Sequence, residues 1–139
     1  MGGWAEMKKG LASAPPAALA CGLLEDNGRA LFLCRKSPLG IETVEIPCLL
    51  LQKGENPVAV LSSEFRRQTG IDAQVHEVLF EKRHNAGPKK RKLWIPVLVF
   101  KVTAKSASAK PAPEFSGYRW ISAEDLMKHR LAKMSQWLR

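Results

Sequence analysis

Residues 54–71 read GENPVAVLSSEFRRQTGI and predict the principal helix of the chain. Asn56 is a favourable N-cap, and Pro57 suits a first helical turn, where the backbone donor is not needed. Three apolar residues recur at i, i+3 and i+7 and predict one buried face: Val58, Leu61 and Phe65. Gly70 accepts the left-handed conformation that commonly follows a helix. The pattern therefore predicts a helix that begins at Pro57 and ends before Gly70.

Strand patterns precede this helix. The apolar runs 17–25 and 29–35 are separated by an Asn-Gly pair, which tolerates the positive φ angles of a tight hairpin turn. Residues 41–52 also favour a strand. Within that segment, Pro47 lacks a backbone donor and indicates an edge, a bulge or the start of a loop.

Two longer strand patterns and a final helix pattern follow the helix. Residues 75–83 and 93–102 predict a second hairpin, joined by a polar connection that contains Asn, Gly and Pro. Residues 118–121 predict a short strand, and a variant capping box at 122–125 predicts a C-terminal helix. The resulting order, β-β-β-α-β-β-β-α, has no internal repeat and indicates an α+β domain.

The composition is that of one globular domain. Hydrophobic residues make up 45% of the 139 residues and charged residues 25%, which excludes disordered, collagen-like and disulfide-scaffold chains. Residues 1–16 mix Gly, Ala and Pro with two lysines, and we expect them to form a flexible arm. A single domain is then expected at 17–139.

Charge and cysteine content narrow the partners and the compartment. Lys and Arg number 22 against 13 Asp and Glu, and the net charge of +9 favours anionic partners such as nucleotides or nucleic acid. Three cysteines without a CxxC spacing favour a reducing cytoplasm over a zinc site or a disulfide framework. No apolar run approaches the roughly 18 residues that a membrane span needs, so no membrane partner is expected.

The segment 49–71 resembles the Nudix box, whose pattern is G-x5-E-x7-R-E-U-x-E-E-x-G-U, with U a bulky aliphatic residue. Five of the nine positions match: Glu55, Glu64, Phe65, Gly70 and Ile71. Four positions depart from it: Leu49, Ser63, Arg67 and Gln68. An Ile-Pro pair before the loop and the late run YRWISAEDL at 118–126 extend the resemblance to residues 17–138.

This resemblance implies a Nudix-like α/β/α sandwich around a mixed β-sheet, and hydrolysis of a diphosphate bond in a nucleoside diphosphate derivative. Glutamates on the box helix of that family hold Mg²⁺ or Mn²⁺, hard cations that prefer oxygen ligands. Here the three helix positions are Glu64, Arg67 and Gln68, with a formal charge of 0 where the pattern gives −3. We therefore expect a degraded metal site. Glu64 is the remaining candidate for a catalytic residue and metal ligand, and Glu55 is a second catalytic candidate.

Basic residues supply candidate groups for binding a phosphorylated substrate: Arg35, Lys36, Arg83 and Lys92. The last two belong to the basic hairpin 82–92, beside which Trp94 could stack on a base. A solvated turn that only aids solubility is the alternative interpretation of this charge cluster.

Four functions stay open at this stage. The leading one is a protein that binds a nucleotide-like or other phosphorylated small molecule without efficient hydrolysis. The others are an atypical Nudix hydrolase that uses Mg²⁺ or Mn²⁺, a nucleic-acid-binding module acting through 82–92, and a protein-interaction role in which Leu49 and Leu50 fill the cleft. Neither the ligand nor the oligomeric state follows from the sequence, because one fold serves many substrates.

Overall fold

The computed structural model describes residues 15–139, so the arm expected at 1–16 lies almost wholly outside the described residues. One α-helix, α1 (Pro57–Thr69), and two short 3₁₀ helices, Leu126–Lys128 and Lys133–Leu138, occur in this part of the chain. They accompany seven strands: β1 (Ala18–Asp26), β2 (Arg29–Lys36), β3 (Glu42–Glu45), β4 (Cys48–Leu51), β5 (Ala73–Asn85), β6 (Trp94–Ala104) and β7 (Gly117–Ser122).

The strands form one mixed sheet with the order β3-β2-β1-β6-β5, to which β4 adds beside β1 and β7 beside β2. Strands β1 and β6 run parallel, from the pair Leu19 and Val97 to the pair Leu24 and Val102. The remaining pairs are antiparallel. The mixed α+β fold expected from the sequence is confirmed.

Two local sequence features determine how strands β1 to β4 are connected: the Asn27-Gly28 turn and Pro47. Asn27 and Gly28 adopt φ angles of 53° and 75°, so the predicted β1–β2 hairpin turn is confirmed. Pro47 interrupts the third strand segment as expected: β3 before it pairs with β2, whereas β4 after it pairs with β1. The chain thus changes its pairing partner at the residue that cannot donate a backbone hydrogen bond.

Helix α1 begins and ends as predicted. The Asn56 side chain accepts hydrogen bonds from the backbone of Val58 and Ala59 at 3.1 and 3.3 Å. Gly70 has a φ of 73° and donates its N–H to the Arg66 carbonyl. A Cβ atom there would lie 2.8 Å from the Lys110 carbonyl oxygen, so this position requires glycine for space as well as for conformation.

The predicted buried face of α1 is wrong at Val58, which is 41% exposed. The residues that are buried belong to the last three turns: Leu61, Phe65, Gln68 and Thr69. Phe65 packs so closely over Gly22 of β1 that a Cβ on that glycine would lie 2.8 Å from the Phe65 ring. The helix therefore lies on the sheet from Leu61 onward, and its first turn does not.

The predicted C-terminal α-helix is also wrong, because the two 3₁₀ helices take its place. The capping signal does operate locally, since the Ser122 hydroxyl accepts a hydrogen bond from the Asp125 N–H at 3.3 Å. Further along, Val44 of β3 donates its N–H to the Arg130 carbonyl and accepts one from Ala132. This strand-like pairing holds the backbone extended and prevents a continuous helix.

The core occupies both faces of the β1–β6 pair. One face packs under α1 through a cluster of small and large apolar residues: Ala18, Ala20, Leu51, Leu61 and Phe100. The other face forms a larger cluster with β3 and the C-terminal segment, which includes Leu19, Val97, Val99, Leu131 and Trp137. The cysteines are buried free thiols, and no helix among residues 15–139 is long and apolar enough to cross a membrane.

Candidate functional site

The candidate site begins on the exposed side of the last two turns of α1. Arg67 donates from Nε to Glu64 Oε1 at 2.7 Å and from Nη2 to Glu64 Oε2 at 2.9 Å. The two residues are three positions apart, which brings their side chains together on one helix face. This bidentate hydrogen bond holds the pKa of Glu64 below its usual range.

A second carboxylate reaches the same guanidinium from the loop before β7. Glu114 accepts from Arg67 Nη2 at 2.8 Å and from Nη1 at 3.3 Å. The loop is held against the end of α1 because Lys110 and Ala112 donate their backbone N–H groups to Thr69 and Gln68. Hydrogen bonds to two carboxylates raise the pKa of Arg67, so this cation lies fixed between two anions.

Gln68 joins the helix to the sheet beneath this cluster. Its Nε2 donates to the Cys48 carbonyl and to Glu64 Oε2, both at 2.8 Å. The residue is 5% exposed, and its Oε1 is buried without a hydrogen-bond partner in the described part of the chain. Gln68 therefore acts as a donor that positions Glu64.

Two further arginines pair with the carboxylates of β3. Arg35 forms an ion pair with the buried Glu45, and its guanidinium lies 4.6 Å from the centre of the Phe115 ring. Arg119 of β7 donates to both carboxylate oxygens of Glu42, at 2.6 and 3.2 Å. Each carboxylate of β3 and of the box helix thus has an arginine partner.

The other candidates near the box take separate positions. Glu55 accepts a hydrogen bond from the Gln52 N–H at 2.6 Å and so supports the turn before α1. It makes no hydrogen bond to Arg67 or Glu64 among residues 15–139. Lys36 is exposed at the end of β2, directly after Arg35.

These residues do not fit a divalent metal. In the described range 15–139, no three acidic, histidine or cysteine side chains come together as a group that could hold an ion. The oxygens of Glu64 and Glu114 already accept hydrogen bonds from a cation, and Gln68 presents its amide nitrogen to Glu64. Mg²⁺ and Mn²⁺ require several converging oxygens, which this arrangement does not provide.

The structure brings together the other two basic candidates at the far hairpin. The Arg83 guanidinium lies 5.2 Å and the Lys92 ammonium 5.9 Å from the centre of the Trp94 ring. Arg35 instead lies near Glu114, whose pKa is lowered first by Arg67 and further by Arg35. The four predicted binding residues therefore divide between two places.

Sequence reasoning missed Glu114 and Arg119. Neither belongs to the box, and each pairs with a residue of a distant segment, Glu114 with Arg67 and Arg119 with Glu42. One signal was available for Glu114, which is the only acidic residue between Glu81 and Glu124. An isolated acid in a basic stretch is a candidate for a specific ion pair.

Comparison with known proteins identifies the fold. The sequence profile of the NUDIX domain matches residues 14–138. The solution structure of the E. coli ORF135 protein is 19% identical and has a TM-score of 0.62, with 87% of this chain and 84% of that chain covered. Searching curated protein sequences gave no match.

Two enzyme structures show the same fold. A UDP-X diphosphatase is 15% identical with a TM-score of 0.68, covering 96% of this chain and 64% of that chain. An Ap4A hydrolase from C. elegans is 18% identical with a TM-score of 0.59, covering 88% of this chain and 93% of that chain. At these identities the likeness concerns the fold.

Proposed function

Because the chain belongs to the Nudix family, we propose that it is a member with a degraded metal-binding box that binds a nucleotide or other phosphorylated ligand without efficient hydrolysis. One observation supports this most directly: Arg67, at a glutamate position of the box, is ion-paired to both Glu64 and Glu114. The cation that pairs with both carboxylates is therefore a side chain of the protein itself.

Electrostatics explain why this substitution opposes catalysis. Two unit charges about 4 Å apart interact by about 4 kcal/mol at an effective dielectric constant of about 20. A divalent ion approaching Glu64 would meet the positive charge of Arg67 and would have to displace a bidentate hydrogen bond. Replacement of the next box glutamate by Gln68 removes a further negative charge. Metal binding strong enough for hydrolysis is therefore not expected.

Arg35 is the best-placed group for a phosphate. Its Nε is used by Glu45 and its plane packs on Phe115, which fixes the guanidinium. Within the described residues, its two Nη groups make no hydrogen bond, and the side chain is 46% exposed. A held, half-exposed guanidinium with two unused donor groups suits bidentate contact with phosphate oxygens, and Lys36 adds a second positive charge.

Structures with the same fold support one class of ligand. The similar structures include a UDP-X diphosphatase and an Ap4A hydrolase, which act on nucleotide derivatives. We therefore propose a nucleoside diphosphate derivative as the ligand class. The cytoplasm is the proposed location, because free buried thiols suit a reducing compartment.

Thermal-shift measurements with ADP, ADP-ribose and UDP-glucose, each with and without Mg²⁺, test the proposal. At least one ligand should raise the melting temperature without metal, since ligand binding to the folded state stabilises it. Arg35→Gln should abolish the ligand-induced shift relative to its own ligand-free protein. Arg29→Gln, at the opposite end of β2, is the matched control and should keep the shift.

The same three compounds also test the alternative hypothesis that the protein is an atypical, metal-dependent Nudix hydrolase. Saturating Mg²⁺ or Mn²⁺ should give no release of phosphate or nucleoside monophosphate from any of these compounds. Metal-dependent turnover that falls sharply in Glu64→Gln would show that the enzyme is active and would overturn the proposal.

A further inference from the structure

An open cleft separates the tip of the β5–β6 hairpin from the C-terminal 3₁₀ helix. Its volume is about 640 Å³. Basic side chains line it from both sides, Arg83 and Lys89 from the hairpin and Lys133 from the 3₁₀ helix. No acidic side chain is among its described lining residues. The cleft thus presents a concave surface of one sign of charge, which concentrates anions.

Trp94 provides an aromatic surface in this cleft. It is 49% exposed, although large aromatic side chains are usually well buried. Arg83 and Lys92 lie at 5.2 and 5.9 Å from the centre of its ring. Both cations lie over the ring on flexible side chains, so the exposed indole can stack on a base when these side chains turn to the adjoining phosphates.

The hairpin tip is held in a defined conformation. Asn85 Oδ1 accepts hydrogen bonds from the N–H groups of Gly87 and Leu93, at 3.0 and 2.9 Å. The chain passes so close to itself that a Cβ on Gly87 would lie 2.3 Å from the Arg91 carbonyl oxygen. Because Trp94 directly follows this turn and pairs with Asn85 in the β5–β6 ladder, its backbone is held in place before a ligand arrives, which lowers the entropic cost of binding.

Within the described part of the chain, the positive charges of the cleft have no acidic partner, unlike three arginines elsewhere in the fold. Residues 82–92 contain six Lys and Arg and no acid. Among residues 15–139, no ion pair involves Arg83, Lys92 or Lys133, whereas Arg35, Arg67 and Arg119 are all paired. No hydrogen bond or ion pair in this range links the cleft to Arg67. Its charges are available to an external polyanion.

We propose that this cleft binds single-stranded nucleic acid, with the phosphates held by Arg83, Lys89, Lys92 and Lys133 and one base stacked on Trp94. The exposed ring requires an unpaired base, which a duplex does not offer. The cations on both sides of the cleft suit a backbone that passes through it. This site is independent of the nucleotide site proposed at Arg35.

Fluorescence anisotropy with a labelled oligouridine of about 12 nucleotides tests the proposal on the full chain. The Kd should rise steeply as salt increases from about 50 to about 200 mM. In the double variant Lys89→Ala/Lys92→Ala, the slope of log K against log salt should fall by about 1.4, since each lost phosphate contact removes about 0.7 for a single strand. Lys101→Ala/Lys105→Ala, toward the other end of β6, is the matched control and should keep the slope.

A second variant separates stacking from charge. Trp94→Leu should weaken binding about tenfold and leave the salt slope unchanged. Arg35→Gln should leave oligouridine binding unchanged, so failure of this proposal is distinguishable from failure of the nucleotide site.

Several results would overturn the assignment. These are no binding at about 50 mM salt, equal losses in the control pair, or full affinity in Trp94→Leu. Equal affinity for UMP and the oligouridine would also overturn it, since that result would indicate a mononucleotide site.

Discussion

Arg67 of helix α1 donates two hydrogen bonds to Glu114, which lies 47 residues further along the chain. The same guanidinium is bidentate to Glu64, so one side chain joins the helix to the loop before β7. In a box with three carboxylates, a divalent cation would offset most of the charge. In the function proposed for this chain, the guanidinium of Arg67 offsets part of the charge of two carboxylates, and this contact positions the loop without activating water.

A glutamate at position 67, as in the box pattern, should allow the protein to bind a divalent metal ion. Arg67→Glu would place three carboxylates together, at positions 64, 67 and 114. Without metal the variant should be less stable by about 1 kcal/mol, because ion pairs are replaced by like charges at an exposed site. With Mn²⁺ its melting temperature should rise, and electron paramagnetic resonance should detect the bound ion. Arg66→Glu, an equally exposed neighbour, should bind no Mn²⁺, and equal binding by both variants would contradict the account.

Acid should release the same ion pairs. The pKa of Glu64 is lowered mainly by the hydrogen bond from Arg67, so its contribution to stability is present above the unfolded value of about 4.3 and is lost as the pH falls below it. Urea unfolding between about pH 5 and pH 3 should therefore show a steeper loss of stability in the natural protein than in Arg67→Met. Parallel curves for the two proteins would show that this pair does not contribute.

His84 should add a pH dependence in a higher range. It is 6% exposed, and burial, with a further effect of Lys133, lowers its pKa. The unfolded chain then takes up a proton first as the pH falls below about 6.5, so the folded state loses stability from there downward until its own histidine protonates. His84→Gln should flatten the stability curve between about pH 7 and pH 5. A curve for His84→Gln parallel to that of the natural protein would show that this histidine does not contribute.

Elements defined by short-range signals could be predicted from the sequence. The Asn27-Gly28 turn and the Asn56 and Gly70 caps each act within a few residues, and all three are found where expected. The exposure of Val58 could not be read from helical periodicity, because it depends on which part of α1 lies on the sheet. Helical periodicity predicts which side of a helix is apolar, but not how much of that side is covered by the sheet.

Features that depend on distant partners were not predictable. The C-terminal segment has a capping signal and apolar residues at helical spacing, but Val44 of β3 pairs with the backbone around Leu131 and prevents an α-helix. For the same reason the sequence identified Arg67 as a departure from the box but not its partner Glu114. The sequence alone shows that an arginine replaces a glutamate at position 67. The ion pair between Arg67 and Glu114 depends on tertiary structure and cannot be predicted from the sequence.

The final prediction concerns Gln68, the second helix position at which the box pattern has a glutamate and this chain does not. A glutamate at this position should destabilise the protein when no metal is present. Gln68→Glu would replace a buried donor by an acceptor facing the Cys48 carbonyl and the Glu64 carboxylate. The loss of both hydrogen bonds in a site only 5% exposed should cost roughly 2 kcal/mol in urea unfolding near neutral pH. Ser63→Glu, on the exposed side of the same helix, should change stability little. If Mn²⁺ recovers the loss in Arg67→Glu/Gln68→Glu but not in Gln68→Glu alone, Arg67 is the residue that excludes the ion; recovery in the single variant would assign that effect to Gln68.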